Sequence, residues 1–451
     1  MQHYSASLTC LNACIPEKNP SAWGRPLITL FVIANVALFV VIVLILLVLF
    51  EPPLRYNVKA PSVPIDSDEY LRLISALADA KIHFDGHVEP LSDGKNFYEA
   101  ELAAIAKAEH SVHLEAFIFH PSAIGERFLA ALTERARSGV SVKVVVDAIG
   151  SFPTPNRFFD PLRQAGGEVR WYQPLEIVTF KRWNNRTHRE LIVIDGKIGF
   201  VGGAGIAAHW DIGDKNAPPW RDMMFRVQGG LAVGLQTTFA ENWLESSSEI
   251  LSDIEDFPAE DQTGPHLGAG LVVISSPTAG RSTRNRLLFQ TLIASAKKTI
   301  CIHSPYFLPD RSATAELVRA CGERNVCIKI IVPGKLNNHL TTRLASRRRY
   351  GPLLQAGVEI HEYQPGMIHT KVMSVDGLWV VVGSTNFDSR SFDLNDEVNL
   401  AAVDAELAAK IEREFTEDLL QCARITYEQW LKRSLLERFA ATVGRVFERN
   451  E

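Results

Sequence analysis

Six cysteines in 451 residues are too few for a disulfide framework. They stand at Cys10, Cys14, Cys301, Cys321, Cys327 and Cys422. Only Cys10 and Cys14 are close enough in sequence to pair or share a metal, and no second ligand pair accompanies them, so free thiols are expected. An excess of positive charge is also missing. The formal net charge of -5 argues against a nucleic-acid partner. The run GGAGIA (Gly202 to Ala207) lacks the third glycine and the βαβ setting of a dinucleotide fingerprint. FEPPLRYN, which follows the one long apolar run, has no small-residue cleavage site, so a removed signal peptide is not expected. Lys18 and Arg25 before that run balance Arg55 and Lys59 after it, and the positive-inside rule gives no orientation.

The run itself, Leu27 to Phe50, carries no charge and only Thr29 and Asn35 as polar residues. As a helix, its roughly 24 residues would reach about 36 Å, against a hydrocarbon core of about 30 Å. It predicts an uncleaved, single-pass anchor at residues 27–50, behind a tail at 1–26 and ahead of a tether at 51–84. At the other end, Leu431, Leu435, Phe439, Val443 and Phe447 recur every four residues between basic residues. That pattern predicts an amphipathic helix at 426–451, on a membrane surface or on the protein core. Arg343, Arg347, Arg348 and Arg349 form a dense cationic stretch that would suit anionic headgroups or a solvated helix face.

Between these ends the chain repeats itself. QAGGEVRWYQP (Gln164 to Pro174) matches QAGVEIHEYQP (Gln355 to Pro365). SVHLEAFIF parallels TICIHSPYF, and VSVKVVVDAIG parallels VCIKIIVPGK. Helix and strand patterns alternate in both copies, which predicts an α/β fold with a mixed or largely parallel sheet, built as a duplicated domain. The halves are placed at 85–250 and 269–425, with an acidic linker at 251–268. The first copy carries a longer approach loop, EIVTFKRWNNRT, before its motif. It reads either as cover for the mouth of a site or as an ordinary surface loop.

Each copy holds one motif: HRELIVIDG with His188, Glu190 and Asp195, and HTKVMSVDG with His369, Lys371 and Asp376. In an extended chain residues i and i+2 share a face, so each histidine points the same way as Glu190 or Lys371. Two such stretches meeting in one pocket offer one imidazole to attack phosphorus and another to protonate the leaving oxygen. Lysine and amide donors can take the developing charge, so no metal or cofactor is implied.

The paired H-x-K-x-x-x-x-D pattern resembles the phospholipase D superfamily. The surroundings FYEAELAAI, HSPYFLPD, YQPGMIHTK, VGSTNFDSRSF and WRDMMFRVQG resemble bacterial cardiolipin synthases, over about Leu91 to Tyr427. The resemblance implies two duplicated α/β/α halves packed as a pseudo-dimer, and a phosphatidyltransferase at a bacterial cell membrane that makes cardiolipin from phosphatidylglycerol. A phospholipase D forming phosphatidic acid, or a catalytically impaired lipid-binding homologue, are the alternatives. It implies a catalytic set of His188, His369, Lys371, Asp195 and Asp376, with His188 as the expected nucleophile and the two aspartates anchoring turns. Asp222 and Glu397 would orient the imidazoles, and Lys371, Ser384 and Asn386 would hold phosphate oxygens.

The first copy departs from the pattern twice. Glu190 stands in place of the lysine, and Gly205 in place of the asparagine. A carboxylate beside a phosphodiester is repulsive in a buried pocket. Three readings stay open: a degenerate first site, compensation by Arg186, Arg189 or Arg221, or a Glu190 that receives a cationic or hydroxylated headgroup.

Overall fold

The structure is a computed structural model and describes residues 24–49, 56–176, 182–213, 217–258, 268–277, 283–337 and 340–433. The chain divides into two units, residues 1–52 and 53–451. The first contains the helix Gly24–Leu49, whose side chains are described from Thr29 to Val43 and expose Leu30, Phe31, Ile33 and Phe39. Among the described residues no helix is long and apolar enough to cross a membrane.

The second unit is built on two large sheets. A short strand β1 (Ile82–His83) precedes β2 (His87–Ser92), β3 (Ser111–Ala116), β4 (Ser141–Asp147), β5 (Glu168–Tyr172), β6 (Leu191–Ile194), β7 (Ile198–Gly202) and β8 (Met223–Gln228). The second set runs β9 (Ala269–Ser275), β10 (Thr299–His303), β11 (Phe307–Leu308), β12 (Cys327–Pro333), β13 (Glu359–Tyr363), β14 (Val372–Val375), β15 (Trp379–Gly383), β16 (Phe387–Asp388), β17 (Glu397–Val403) and β18 (Cys422–Ile425). The first sheet is ordered β2-β8-β7-β6-β3-β4-β5; the second contains β9-β17-β15-β14-β10-β12-β13 in the matching positions. The duplication is thus a topological one, strand for strand, with parallel β3-β4-β5 and β10-β12-β13 and antiparallel motif hairpins. Strands covered on both faces read as unbroken apolar runs, as in LIVI of β6 and WVVVG of β15.

The halves meet through one apolar core. Leu235, Phe239 and Trp243 of the helix Gly230–Ser247 join Val193, Val201 and Phe225 of the first sheet to Val380, Val398 and Leu400 of the second. Each half has its own further core on its outer side.

Two expected boundaries need revision. Part of the stretch read as a tether is folded: Ser67 caps the helix Asp68–Ala78, which buries Tyr70, Leu71 and Ile74 in the second half's core. Each such side chain contributes about 1.5–3 kcal/mol of burial, which ordinary tethers lack. β1 then pairs with β9, and Trp379 donates its indole N–H to the Ile65 carbonyl (2.8 Å). At the other end β18 extends the second sheet beside β13, and a short helix Tyr427–Leu431 follows; the remainder of the expected amphipathic helix lies outside the described residues. Cys10 and Cys14 lie outside them too, while Cys301, Cys321, Cys327 and Cys422 are free thiols.

Candidate active site

The motif strands are shorter than their sequences predict, because their first residues leave the sheet to pair with the opposite half. Thr187 bridges Asp396, and Ile368 bridges Arg221. His188 N–H donates to the Asp396 carbonyl (2.9 Å) and Asp396 N–H to that of Arg186 (2.9 Å). In the mirrored contact, His369 N–H donates to the Arg221 carbonyl (2.7 Å) and Arg221 N–H to that of Met367 (2.9 Å). Backbone bonds across the pseudo-twofold therefore fix both histidines.

Their side chains cross in the same way. Nδ1 of His369 lies 2.9 Å from Asp222 Oδ2, and Nδ1 of His188 lies 3.2 Å from Glu397 Oε2 and 3.1 Å from the Ser384 carbonyl. Each imidazole is held by a carboxylate from the other half. For His188 these neighbours only accept, so Nδ1 carries the proton and Nε2 keeps its lone pair. Asp222 also accepts from Trp210 Nε1 (3.0 Å) and Met223 N (2.8 Å). Burial opposes its charge, but His369 and Lys371 outweigh burial and hold its carboxyl below the usual range. It is therefore an ionised acceptor, and His369 takes the same tautomer.

Both histidines line one cavity of about 470 Å³. Phe117 packs edge-on to His188, and Trp210 and Trp220 flank His369. Burial first, then Lys371, lowers the His369 pKa to about 3. Lys371 donates to the His369 carbonyl (2.9 Å) and lies 2.9 Å from Nδ1 and 3.3 Å from Nε2 of the same imidazole, and burial lowers its pKa to about 8. Among the described residues Nε2 of His188 has no hydrogen-bond partner. Asn386 lines the cavity with Oδ1 unpaired among the same residues. A carboxamide so placed, turned about its axis, presents its two N–H donors to an anion.

Two expected catalytic placements and one expected phosphate contact do not fit the geometry. Asp195 and Asp376 lie at the far ends of β6 and β14, each roughly 20 Å along the chain from its histidine. Asp195 accepts from the backbone N–H groups of Glu109, His110 and Ser111, and Asp376 from those of Lys297, Lys298 and Thr299. With Gly196 and Gly377 they supply the positive φ that these hairpin turns require. They build the fold and touch no reacting group, which removes them from the catalytic set. Ser384 is fully buried, with its hydroxyl donated to Glu397 and accepting from Val398 N, so it positions Glu397 and is not free for phosphate.

None of the three arginines neutralises Glu190. Arg186 lines the cavity, but its guanidinium is spent on Asp147 and on the Tyr172 and Gln173 carbonyls. Arg189 pairs with Glu241, and Arg221 with Glu414 and Asp418. Of the cationic stretch, Arg343 and Arg347 pair with the buried Glu362, which ties them to the protein and not to lipid. Within the approach loop, Trp183 and Asn184 do line the cavity, and Asn184 holds Arg390 through Oδ1 (2.7 Å) and its carbonyl (2.8 Å). Arg390 and the aromatic wall are pocket residues that the motifs did not single out. Arg390 lies four residues after Asn386 in GSTNFDSRS, the one signal available for it.

Comparison with known proteins identifies the family. Residues 102–209 and 289–419, more than half of the chain, match the family model "Cardiolipin synthase, PLD-like domain". "Probable cardiolipin synthase YwiE" of Bacillus subtilis is 33% identical over 373 residues, covering 82% of this chain and 73% of its own. A cardiolipin synthase of Listeria monocytogenes serotype 4b is 35% identical over 366 residues, 80% of this chain and 75% of its own. Among solved structures, the phosphatidylserine synthase of Haemophilus influenzae superposes with a TM-score of 0.66 at 15% identity, covering 85% of this chain and all of the other; it speaks for the fold alone.

Proposed function

The chain belongs to the phospholipase D-like cardiolipin synthase family, and from that premise we propose that it makes cardiolipin from two molecules of phosphatidylglycerol through a phosphatidyl-histidine. The protein is a phosphatidyltransferase. The reading adds the donor, the acceptor and the residues that act.

In the proposed sequence the free Nε2 of His188 attacks the phosphorus of one phosphatidylglycerol. A nitrogen–phosphorus bond forms, the bond to the glycerol oxygen breaks, and His369 gives that oxygen its proton. A hydroxyl of a second phosphatidylglycerol then loses its proton to His369, attacks phosphorus and releases His188. Lys371 and Asn386 hold the phosphoryl oxygens. The bound anion counters the push of Lys371 on His369 and raises the imidazole's pKa toward the range an acid needs. The observation that carries this reading is the crossed pairing of His188 with Glu397 and His369 with Asp222 around one cavity.

The uncharged apolar run Leu27 to Phe50, read from the sequence, supports a single membrane anchor for an enzyme whose substrate and product are both lipids. Purified enzyme incubated with phosphatidylglycerol labelled in its headgroup tests the function. Cardiolipin with release of one free glycerol per turn is expected; phosphatidic acid as the sole lipid product would establish a hydrolase instead.

A further inference from the structure

The two departures of the first motif form one arrangement. Glu190 is 5% exposed, lies two residues beyond His188 and lines the same cavity. Its Oε1 accepts the Ile118 N–H (3.3 Å). A Cβ placed on Gly205 would lie 2.9 Å from that oxygen and 2.6 Å from the Ile118 carbonyl oxygen. The carboxyl thus stands where a side chain at position 205 would need to be, and Gly205 keeps that room open.

Among the described residues Arg186, Arg189 and Arg221 serve other carboxylates and Arg390 is held by Asn184. Burial, the largest effect, drives the Glu190 pKa well above the usual range, against the Ile118 N–H and the charge of Lys371, which pull it down. A neutral carboxyl has one O–H to donate and a carbonyl to accept. That pair does not match a phosphate monoanion. It does match an alcohol, which also donates once and accepts.

Resting on the cardiolipin-forming reading, we propose that Glu190, with the space kept by Gly205, is the alcohol-recognising side of the site and selects headgroups that carry only hydroxyls over amino alcohols. The phosphoryl group sits toward Lys371 and Asn386, and the glycerol hydroxyls sit toward Glu190. Glycerol leaves from there in the first step, and the acceptor hydroxyl of the second phosphatidylglycerol enters there in the next. The bonds made and broken are those given above, and Glu190 binds without exchanging a proton with the reacting oxygen. Glu190 is a specificity residue in this scheme.

Acceptor kinetics of full-length Glu190→Leu, Glu190→Gln and Glu190→Lys variants test the proposal. The donor is phosphatidylglycerol, and the acceptors are its own hydroxyl, isotopically labelled free glycerol (whose transfer is read as labelled phosphatidylglycerol), ethanolamine and water. Wild type is expected to use phosphatidylglycerol and glycerol and to discriminate against ethanolamine, whose hydroxyl comes with an ammonium. Glu190→Leu leaves a hydroxyl unpaired and is expected to raise the acceptor KM about tenfold or more, shifting product from cardiolipin toward phosphatidic acid. Glu190→Gln keeps a donor and an acceptor and is expected to rescue most of that loss. Should Glu190→Leu fail to fold, the Gln and Lys variants carry the test. An unchanged acceptor KM and product ratio in Glu190→Leu, higher turnover with unchanged acceptor choice in Glu190→Lys, or a wild-type preference for ethanolamine would each overturn it. If wild type yields only phosphatidic acid from phosphatidylglycerol, the cardiolipin reading fails on its own. The same variants assayed with free glycerol still decide the role of Glu190.

Discussion

Replacing Asp222 by asparagine removes one charge and leaves the shape of the site. In the wild type the buried carboxylate accepts from Trp210, Met223 and His369 at 2.8–3.0 Å. Asparagine accepts on one oxygen only; placed at Oδ1 it serves Met223, and its NH₂ stands where Oδ2 accepted from Trp210 and His369. Its NH₂ then faces Nδ1 of His369 and favours the tautomer with the proton on Nε2, the wrong nitrogen for accepting the acceptor's proton. The loss is that of one charge-assisted hydrogen bond made to the imidazolium, about 1.5–3 kcal/mol, or roughly 10- to 150-fold in kcat. KM for phosphatidylglycerol should hardly move, because Asp222 does not line the cavity. Glu397→Gln should cost less than Asp222→Asn, since His188 keeps the Ser384 carbonyl as an alternative acceptor at 3.1 Å. Steady-state kinetics on both variants, with thermal melts to establish folding, decide the matter. A folded Asp222→Asn enzyme within twofold of wild-type kcat, or a Glu397→Gln enzyme more impaired than it, would refute the reasoning.

Three further outcomes follow from the same geometry. Lys371 has its pKa lowered by burial to about 8, so its charge is present below that pH and lost above it; kcat/KM should fall about tenfold per unit in the limit above about pH 8, and a flat profile to about pH 10 would exclude it as a phosphate ligand. Asp195→Ala removes acceptors for three backbone N–H groups and should lower unfolding free energy by about 2–4 kcal/mol with kcat per folded molecule unchanged; denaturant melts paired with kinetics would expose a catalytic role if kcat fell instead. Removing residues 1–52 should abolish co-sedimentation with phosphatidylglycerol vesicles while turnover on detergent-dispersed lipid persists, and unaltered vesicle binding would place the membrane contact elsewhere.

The duplication was legible because each half repeats its apolar strands, its turn residues and its motif at matching positions. The aspartates of the D-G turns were legible for the same reason, whereas the orienting role of Asp222 and Glu397 came from the family resemblance. The crossing of that pair was not legible: which half's carboxylate reaches which imidazole depends on contacts across a chain separation of roughly 150 to 200 residues, and no local period encodes those. The arginines near Glu190 failed as compensators on similar grounds. Position on an extended stretch says which face a side chain takes, but Asp147, Glu241 and Asp418, which claim those arginines, arrive from other elements. The helix Asp68–Ala78 was hidden because its apolar face is short and its partners, such as Trp379 and Thr291, lie far along the chain.

The central claim is that a phosphatidyl group passes through His188 with His369 as its proton partner. The most direct test is a rapid mix of enzyme with labelled phosphatidylglycerol, quenched in alkaline denaturant that preserves phosphohistidine, followed by peptide mapping. A phosphatidyl adduct on the His188 peptide is predicted, absent from His188→Ala and accumulating when acceptor is limiting. Turnover by His188→Ala, or an adduct confined to the His369 peptide, would contradict the account.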